Sequence, residues 1–316
     1  MLTDQLNEML LDLEQKASLI TCDLDYQKLE QASKIVAAYE EATRAIRYIE
    51  TAGPKQQALA QTFWDTVNDK KGIHAYCLVG ANRSGKSITA ASLFVQYILK
   101  YGQDGDITYV ISPTEDKSKT ASGGQAMIHH LIPLKYQRNN FTFGAGYTRN
   151  ILIVSLPDNR GTMQIKFKNE RQEVSTFESD KLIGVWYDEA SSESHFNSLI
   201  PRLSDRLGFM LLSTLSAFWW IKKRLILAGN PNYYHVQLSI YDNEKNLTKA
   251  GIDSFEDLPE WEKKVRLHGE FITEQGLVFP GFVERHQIIA PIIPKAWTRW
   301  VLIDLVINTQ PYSIAP

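Results

Sequence analysis

Eight consecutive residues, Gly80-Ala81-Asn82-Arg83-Ser84-Gly85-Lys86-Ser87, fit the pattern G-x-x-x-x-G-K-[ST] without a mismatch. That pattern serves to hold a polyphosphate. Its two glycines let the backbone turn so that successive N–H groups point inward at phosphate oxygens, and a helix beginning behind them adds a partial positive charge. Lys86 would then meet the β- and γ-phosphates and Ser87 a magnesium ion. A second stretch, Leu182-Ile183-Gly184-Val185-Trp186-Tyr187-Asp188-Glu189-Ala190, is an apolar run that ends in two acids. Asp188, at the C-terminal end of a buried strand, would bind the magnesium directly or through water. Glu189 could polarise an attacking water as a general base. An apolar run ending in Asp-Glu says little by itself, but downstream of a phosphate loop the pair predicts an ATPase with ATP and Mg2+ at its site.

Those residues need a strand, a loop and a helix to position them. Ala75-Tyr76-Cys77-Leu78-Val79 is an apolar run of strand length, and Ile88 to Val95 continues the loop as an apolar-periodic helix. Further strands are read at Ile107–Ile111, ended by Ser112-Pro113-Thr114, and at Phe209–Thr214; Ser118 to Leu131 reads as one helix. Ile151–Ser155 and Met163–Phe167, separated by Pro157-Asp158-Asn159-Arg160-Gly161, read as an antiparallel hairpin with one face of the second strand solvated. Strands alternating with helices predict an α/β fold: a P-loop NTPase of the catalytic-glutamate type with a mostly parallel, helix-covered sheet. Residues 1–49 read as helices ahead of it, a partner contact or, by default, packing against the core.

Other residues carry weaker signals. Gln56 and Gln57, at the start of a helix about two dozen residues before the phosphate loop, offer the acceptor and donors that match the Hoogsteen edge of adenine, although glutamines are common on helix surfaces. Thr214 is placed either to sense the γ-phosphate or to satisfy backbone groups at a strand end. Trp219-Trp220 followed by Lys222-Lys223-Arg224 would suit DNA stacking, but core packing is the better reading of the tryptophans.

The 316 residues suffice for one large α/β domain with appendages, with 44% apolar and 22% charged residues. No apolar run reaches bilayer length, and the acidic N-terminus lacks the build of a signal peptide, so the expectation is a cytoplasmic protein without a membrane partner. Cys22 and Cys77 stand in no metal or redox spacing, and Cys77 reads as a small core residue of the strand before the phosphate loop. Seven scattered histidines argue against a metal held by histidine. The net charge of −2 hides an uneven distribution. Residues 1–50 carry five Lys/Arg against ten Asp/Glu, whereas Pro113–Arg171 carries nine against four. That middle segment either faces a polyanion or is an ordinary solvated face.

With these residues in view, the chain resembles the large subunit of tailed-phage terminases, over most of Gly53 to Phe282. The resemblance rests on Pro54-Lys55-Gln56, the phosphate loop with its internal Arg83, the acid pair after Val185, Ser213-Thr214-Leu215 followed by Trp219, and two stretches, Arg266–Phe271 and Gly276–Pro280, that look like a bridge to a nuclease domain. It implies a motor that moves double-stranded DNA into a procapsid in the host cytoplasm, as a ring on a portal protein and with a small terminase subunit. It also implies that Gln56 reads adenine, that Arg83 touches the γ-phosphate as a catalytic residue beside Lys86 and Glu189, and that Thr214 couples hydrolysis to movement. A neighbour's arginine would complete the site, with Arg149, Arg160 and Arg202 as candidates. The expected division is 1–50 helical appendage, 51–272 ATPase, 273–297 linker, and 298–316 the first strand of an RNase H-like nuclease, with Asp304 a metal ligand and Val306 where a glycine is usual. Asp304 is the only acid after Glu284, so nuclease activity is expected to be absent from the sequence given, and the strand carrying it is expected to lack partner strands. Another P-loop DNA motor such as a helicase, or a prophage remnant that only binds nucleotide or partners, are the alternatives.

Overall fold

The structure, a computed structural model, describes residues 23–67, 72, 74–138, 150–271, 302–304 and 313–315. Helix α1 (Asp23–Glu50) leads into α2 (Pro54–Val67), strand β1 (His74–Gly80) and helix α3 (Lys86–Tyr101). Then come β2 (Ile107–Ser112), the short helices α4 (Glu115–Lys119) and α5 (Gly124–Leu131), β3 (Ile151–Ser155), β4 (Thr162–Asn169) and β5 (Gly184–Asp188). Helix α6 (Glu193–Leu199), β6 (Phe209–Leu215), α7 (Trp219–Ile221), β7 (Tyr233–Leu238), α8 (Lys249–Asp253) and α9 (Glu260–Arg266) complete the main body. Among the described residues no helix is long and apolar enough to cross a membrane.

Seven strands form one sheet in the order β3-β4-β2-β5-β6-β1-β7. Only the β3–β4 pair is antiparallel, as the hairpin pattern predicts. The other neighbours are parallel, and β1 and β5 are buried at every residue, which is why both read as unbroken apolar runs. The sheet is packed on both faces. On one, Phe209 lies edge-on to Phe63 and Tyr97 at 5.2 and 4.5 Å, beneath α2 and α3. On the other, Tyr109, Tyr187, Phe177, Phe196 and Met210 are buried together. Each fully buried aromatic or aliphatic side chain contributes about 1.5–3 kcal/mol relative to exposure, so strand order is fixed chiefly by this two-sided burial. Cys77 is part of that interior, and burial pushes its thiol up to about 12.

Helix α1 packs on the body through its C-terminal half: Ala45 is buried, its carbonyl accepts from Gln96 Nε2 at 3.0 Å, and Arg44 Nη1 donates to the His130 carbonyl at 2.6 Å. The single helix read over Ser118–Leu131 is instead two. Gly123 N donates to the Thr120 carbonyl at 2.8 Å, turning the chain between α4 and α5. A small separate pair joins β8 (Leu302–Asp304) to β9 (Ser313–Ala315) antiparallel, so the strand that ends at Asp304 does have a partner, contrary to the expectation from sequence. The glycine-leucine stretch Gly276–Pro280, and Arg149, lie outside the described residues.

Candidate active site

The order β5-β6-β1 places the phosphate loop and the acid pair at the same C-terminal edge, one strand apart, with β6 between them. Register does the rest. Asp188 is paired with Ser213, Val79 with Thr214 and Gly80 with Leu215, so three strand ends finish level.

The loop itself leaves β1 at Gly80, whose φ of 146° and position against β7 require the absence of a side chain: a Cβ there would lie 2.0 Å from the Leu238 carbonyl oxygen. Ala81 N donates to that carbonyl at 2.8 Å and Asn82 N to the Arg266 carbonyl at 3.0 Å. Ser84 Oγ closes the loop on the Ala81 carbonyl at 2.8 Å. Gly85, in the left-handed region, leads into α3, whose first residue is Lys86. The Lys86 ammonium is buried in the loop, donating to the Ala81 carbonyl and to Ser84 Oγ at 3.3 Å. Burial lowers it to about 8 against the opposing pull of Asp188 and Glu189.

Across the edge, Asp188 Oδ1 accepts from Ser87 Oγ and from Ser213 Oγ, both at 2.7 Å. Ser213 in turn accepts from Trp186 Nε1 at 3.0 Å, so the buried indole orients the serine that orients the acid. Burial raises the Asp188 carboxyl to about 6, with Ser87 and Ser213 donating in the opposite sense, Glu189 adding to the rise and Lys86 opposing it. Ser87 and Asp188 are hard oxygen donors meeting at one point, which suits Mg2+ with phosphate oxygens and water as the remaining ligands. Among the described residues no group of three or more His, Cys, Asp or Glu converges as a metal cluster.

Glu189 takes a left-handed backbone (φ 51°) and turns its side chain out of the core, where Oε2 accepts from Lys117 Nζ at 2.9 Å in a half-exposed pair. Gln56 is buried against the phosphate loop: its Nε2 donates to the Ser84 carbonyl at 2.9 Å and to the Asp242 carbonyl at 3.3 Å, while Oε1 has no hydrogen-bond partner. Gln57 instead caps the Glu50 carbonyl. Arg83 is exposed at the tip of the loop, its guanidinium 5.9 Å from the Phe255 ring. Thr214 Oγ1 donates to the Ala190 carbonyl at 2.8 Å, the backbone-satisfying arrangement of the two that the sequence leaves open.

Some candidates stand apart. Arg160 donates to the Leu99, Lys100 and Gly102 carbonyls, closing the C-terminal end of α3, so its guanidinium is committed within its own subunit. Arg202 lies beyond α6 with its carbonyl held by Leu182 N. The two tryptophans part ways: Trp220 packs on Phe196, while Trp219 is 49% exposed with Lys222 over its ring, so core packing holds for one of them only. Among the residues missed by sequence are Ser213, Lys117 and Asn243, the last donating to the Arg83 carbonyl at 2.8 Å. Only Ser213 had a signal, its place beside Thr214 at a strand end.

No family model matches the chain, and no curated protein matches it in sequence. Among solved structures it is similar to the large terminase of a thermophilic bacteriophage. One crystal form of that protein is 16% identical with a TM-score of 0.57, its complex with ADP 15% with 0.57, and its complex with ATP-γ-S 17% with 0.54. The chain has the fold of a phage large terminase. Each match covers 81% of this chain and 62% of the terminase, so the chain spans less than two thirds of the length of the terminases it matches. The mostly parallel sheet with helices on both faces is the α/β architecture that the alternating strands and helices predict.

Proposed function

We propose that the chain is the ATP-hydrolysing motor part of a phage terminase large subunit and drives double-stranded DNA into a procapsid. The observation that carries this reading is the meeting of Ser87 and Asp188 at 2.7 Å, with Lys86 buried in the loop on one side and Glu189 following directly on the other. The terminase fold supports the choice of motor, and the ADP and ATP-γ-S complexes of the solved terminase support a nucleotide at this edge.

In this reading the polyphosphate lies along the loop from Gly80 to Ser87, and Lys86 exchanges its bond to the Ala81 carbonyl for phosphate oxygens. That exchange favours the ammonium form, which burial penalises in the free chain. Ser87 and Asp188 would hold Mg2+, which supplies charge neutralisation on the phosphates when bound. Glu189 orients the attacking water and accepts its proton, leaving the Lys117 pair to do so. Gln56 presents Oε1 to the adenine amino group, and Arg83 swings from Phe255 toward the γ-phosphate. Thr214, tied to the residue after Glu189, couples hydrolysis to movement. A ring on a portal protein, with a small terminase subunit delivering DNA and a neighbour's arginine completing each site, fits this assignment.

The test is DNA-stimulated ATP turnover by the purified chain. Lys86→Ala should lower turnover by about 10²–10³-fold through loss of charge on the phosphates. Glu189→Gln should keep nucleotide affinity within about threefold while turnover falls by at least as much. Wild-type turnover in Glu189→Gln would remove the base from the assignment.

A further inference from the structure

The segment after Glu189 is held by three side chains from three parts of the fold, Glu170, Thr214 and Trp220, and the first of them belongs to neither sequence motif. Glu170, the residue directly after β4, reaches across the end of β2 to the Ala190-Ser191-Ser192 segment. Its Oε1 accepts from Ser191 N at 2.8 Å, Ser192 N at 3.1 Å and the Tyr187 hydroxyl; Oε2 accepts from Ser191 Oγ. One carboxylate therefore receives four donors, all within five residues of Glu189. The carbonyls of the same segment are taken from the other side: Thr214 Oγ1 donates to Ala190 and Trp220 Nε1 to Ser191, both at 2.8 Å. Tyr187 remains a neutral donor, since burial first and the Glu170 carboxylate second push its hydroxyl far up.

The meaning of this clamp lies in the backbone it follows. A glutamate with φ 51° is held in a sparsely populated region that persists only where the surroundings over-determine it. The Glu189 side chain supplies little of that determination, since its partner Lys117 is 60% exposed. The restraint comes from the three residues that follow. We infer that Glu170 is a positioning residue for Glu189, setting the direction from which that carboxylate meets water at the phosphate edge. The inference rests on the assignment of Glu189 as the base.

Glutamine at 170 keeps the shape, the Oε1 acceptor for the two amides and the phenol, and an amide that Ser191 Oγ can accept from; alanine strands all four donors. The experiment measures ATP turnover and amide hydrogen exchange on the full chain, wild type beside Glu170→Ala and Glu170→Gln. In Glu170→Ala the Ser191 and Ser192 amides should exchange at least about tenfold faster, and kcat should fall by about 10–100-fold with KM for ATP within about twofold. Glu170→Gln should restore both readouts to within about threefold of wild type. Should Glu170→Ala not fold, Glu170→Asp, which keeps the charge but shortens the reach to the Ser191 and Ser192 amides by one methylene, carries the same two measurements, with both effects expected in the same direction. Unchanged exchange, faster exchange with unchanged kcat, a loss of nucleotide affinity in step with kcat, or a glutamine variant as impaired as alanine would each overturn the inference. If the wild type turned over no ATP, the ATPase reading would fail, and the exchange pattern would still decide whether the clamp exists.

Discussion

The two loops that meet at the site are fastened by different means. The phosphate loop is pinned largely through its own main chain, with Ala81 N on the Leu238 carbonyl, Asn82 N on the Arg266 carbonyl, and Gly80 packed so closely on β7 that no side chain fits. The loop after β5 is pinned through side chains that arrive from β4, β6 and α7: Glu170, Thr214 and Trp220. A loop that must wrap a ligand with its amides is shaped by backbone geometry. A loop that must aim one carboxylate can be shaped by whatever side chains reach it.

The sharpest way to break the first kind of fastening is Gly80→Ala. The added methyl meets a backbone oxygen at 2.0 Å, and the φ of 146° is unfavourable for any side chain, so a loss of about 4 kcal/mol or more is expected. Thermal denaturation, or failure to recover folded protein, would register it; a melting temperature near wild type would mean that β7 gives way easily.

A smaller effect of opposite sign is expected at the second loop. The Asp188 carboxyl is raised to about 6 from an ordinary 3.8, so the stability it contributes is complete below about pH 3.8 and is lost as pH rises through 6. Asp188→Asn removes that titration. In chelator and without nucleotide, the variant should be more stable than wild type by about 1–3 kcal/mol at pH 7, a gap that closes toward pH 4, with part of the gain offset because Lys86 loses its carboxylate. Urea titrations across pH 4–7 measure it, and a gap independent of pH would show that the carboxylate is not strained. The same variant should bind nucleotide with little dependence on magnesium.

The smallest effect is Lys117→Ala. The Lys117–Glu189 pair is exposed on both sides, so melting should move by no more than about 2 °C, the equivalent of roughly 0.5 kcal/mol. A larger shift would mean that the side chain of Glu189, and not only the backbone behind it, is rigidly held.

This contrast explains what was legible in the sequence. The phosphate loop was legible because a backbone requirement leaves glycines at fixed offsets, and the strands because two-sided burial leaves unbroken apolar runs such as Ala75–Val79. Asp188 and Glu189 were legible as a strand ending in acids. Glu170 was not, because its partners lie 17 to 22 residues on and reach it only through the order β4-β2-β5. Ser213 needed the register that sets it beside Asp188, and Lys117 the turn that splits α4 from α5. Arg160 looked available because it sits in a polar turn, and only the α3 carbonyls show that it is spent.

The short run after α9 ties the edge together. The Arg266 carbonyl takes Asn82 N, and three residues on, the Gly269 carbonyl takes Ser216 Oγ, past β6, and Gln237 Nε2, on β7. Gly269 itself, at φ 70°, sits against Ala81 so tightly that a Cβ would lie 2.7 Å from its nitrogen. In mechanical terms this peptide is a rivet through three plates: the ends of β1, β6 and β7 cannot slide past one another without shearing it. A displacement of the phosphate loop is therefore shared with the strand that carries Thr214 and with the chain leaving toward residue 272, as load spreads through a stiff joint.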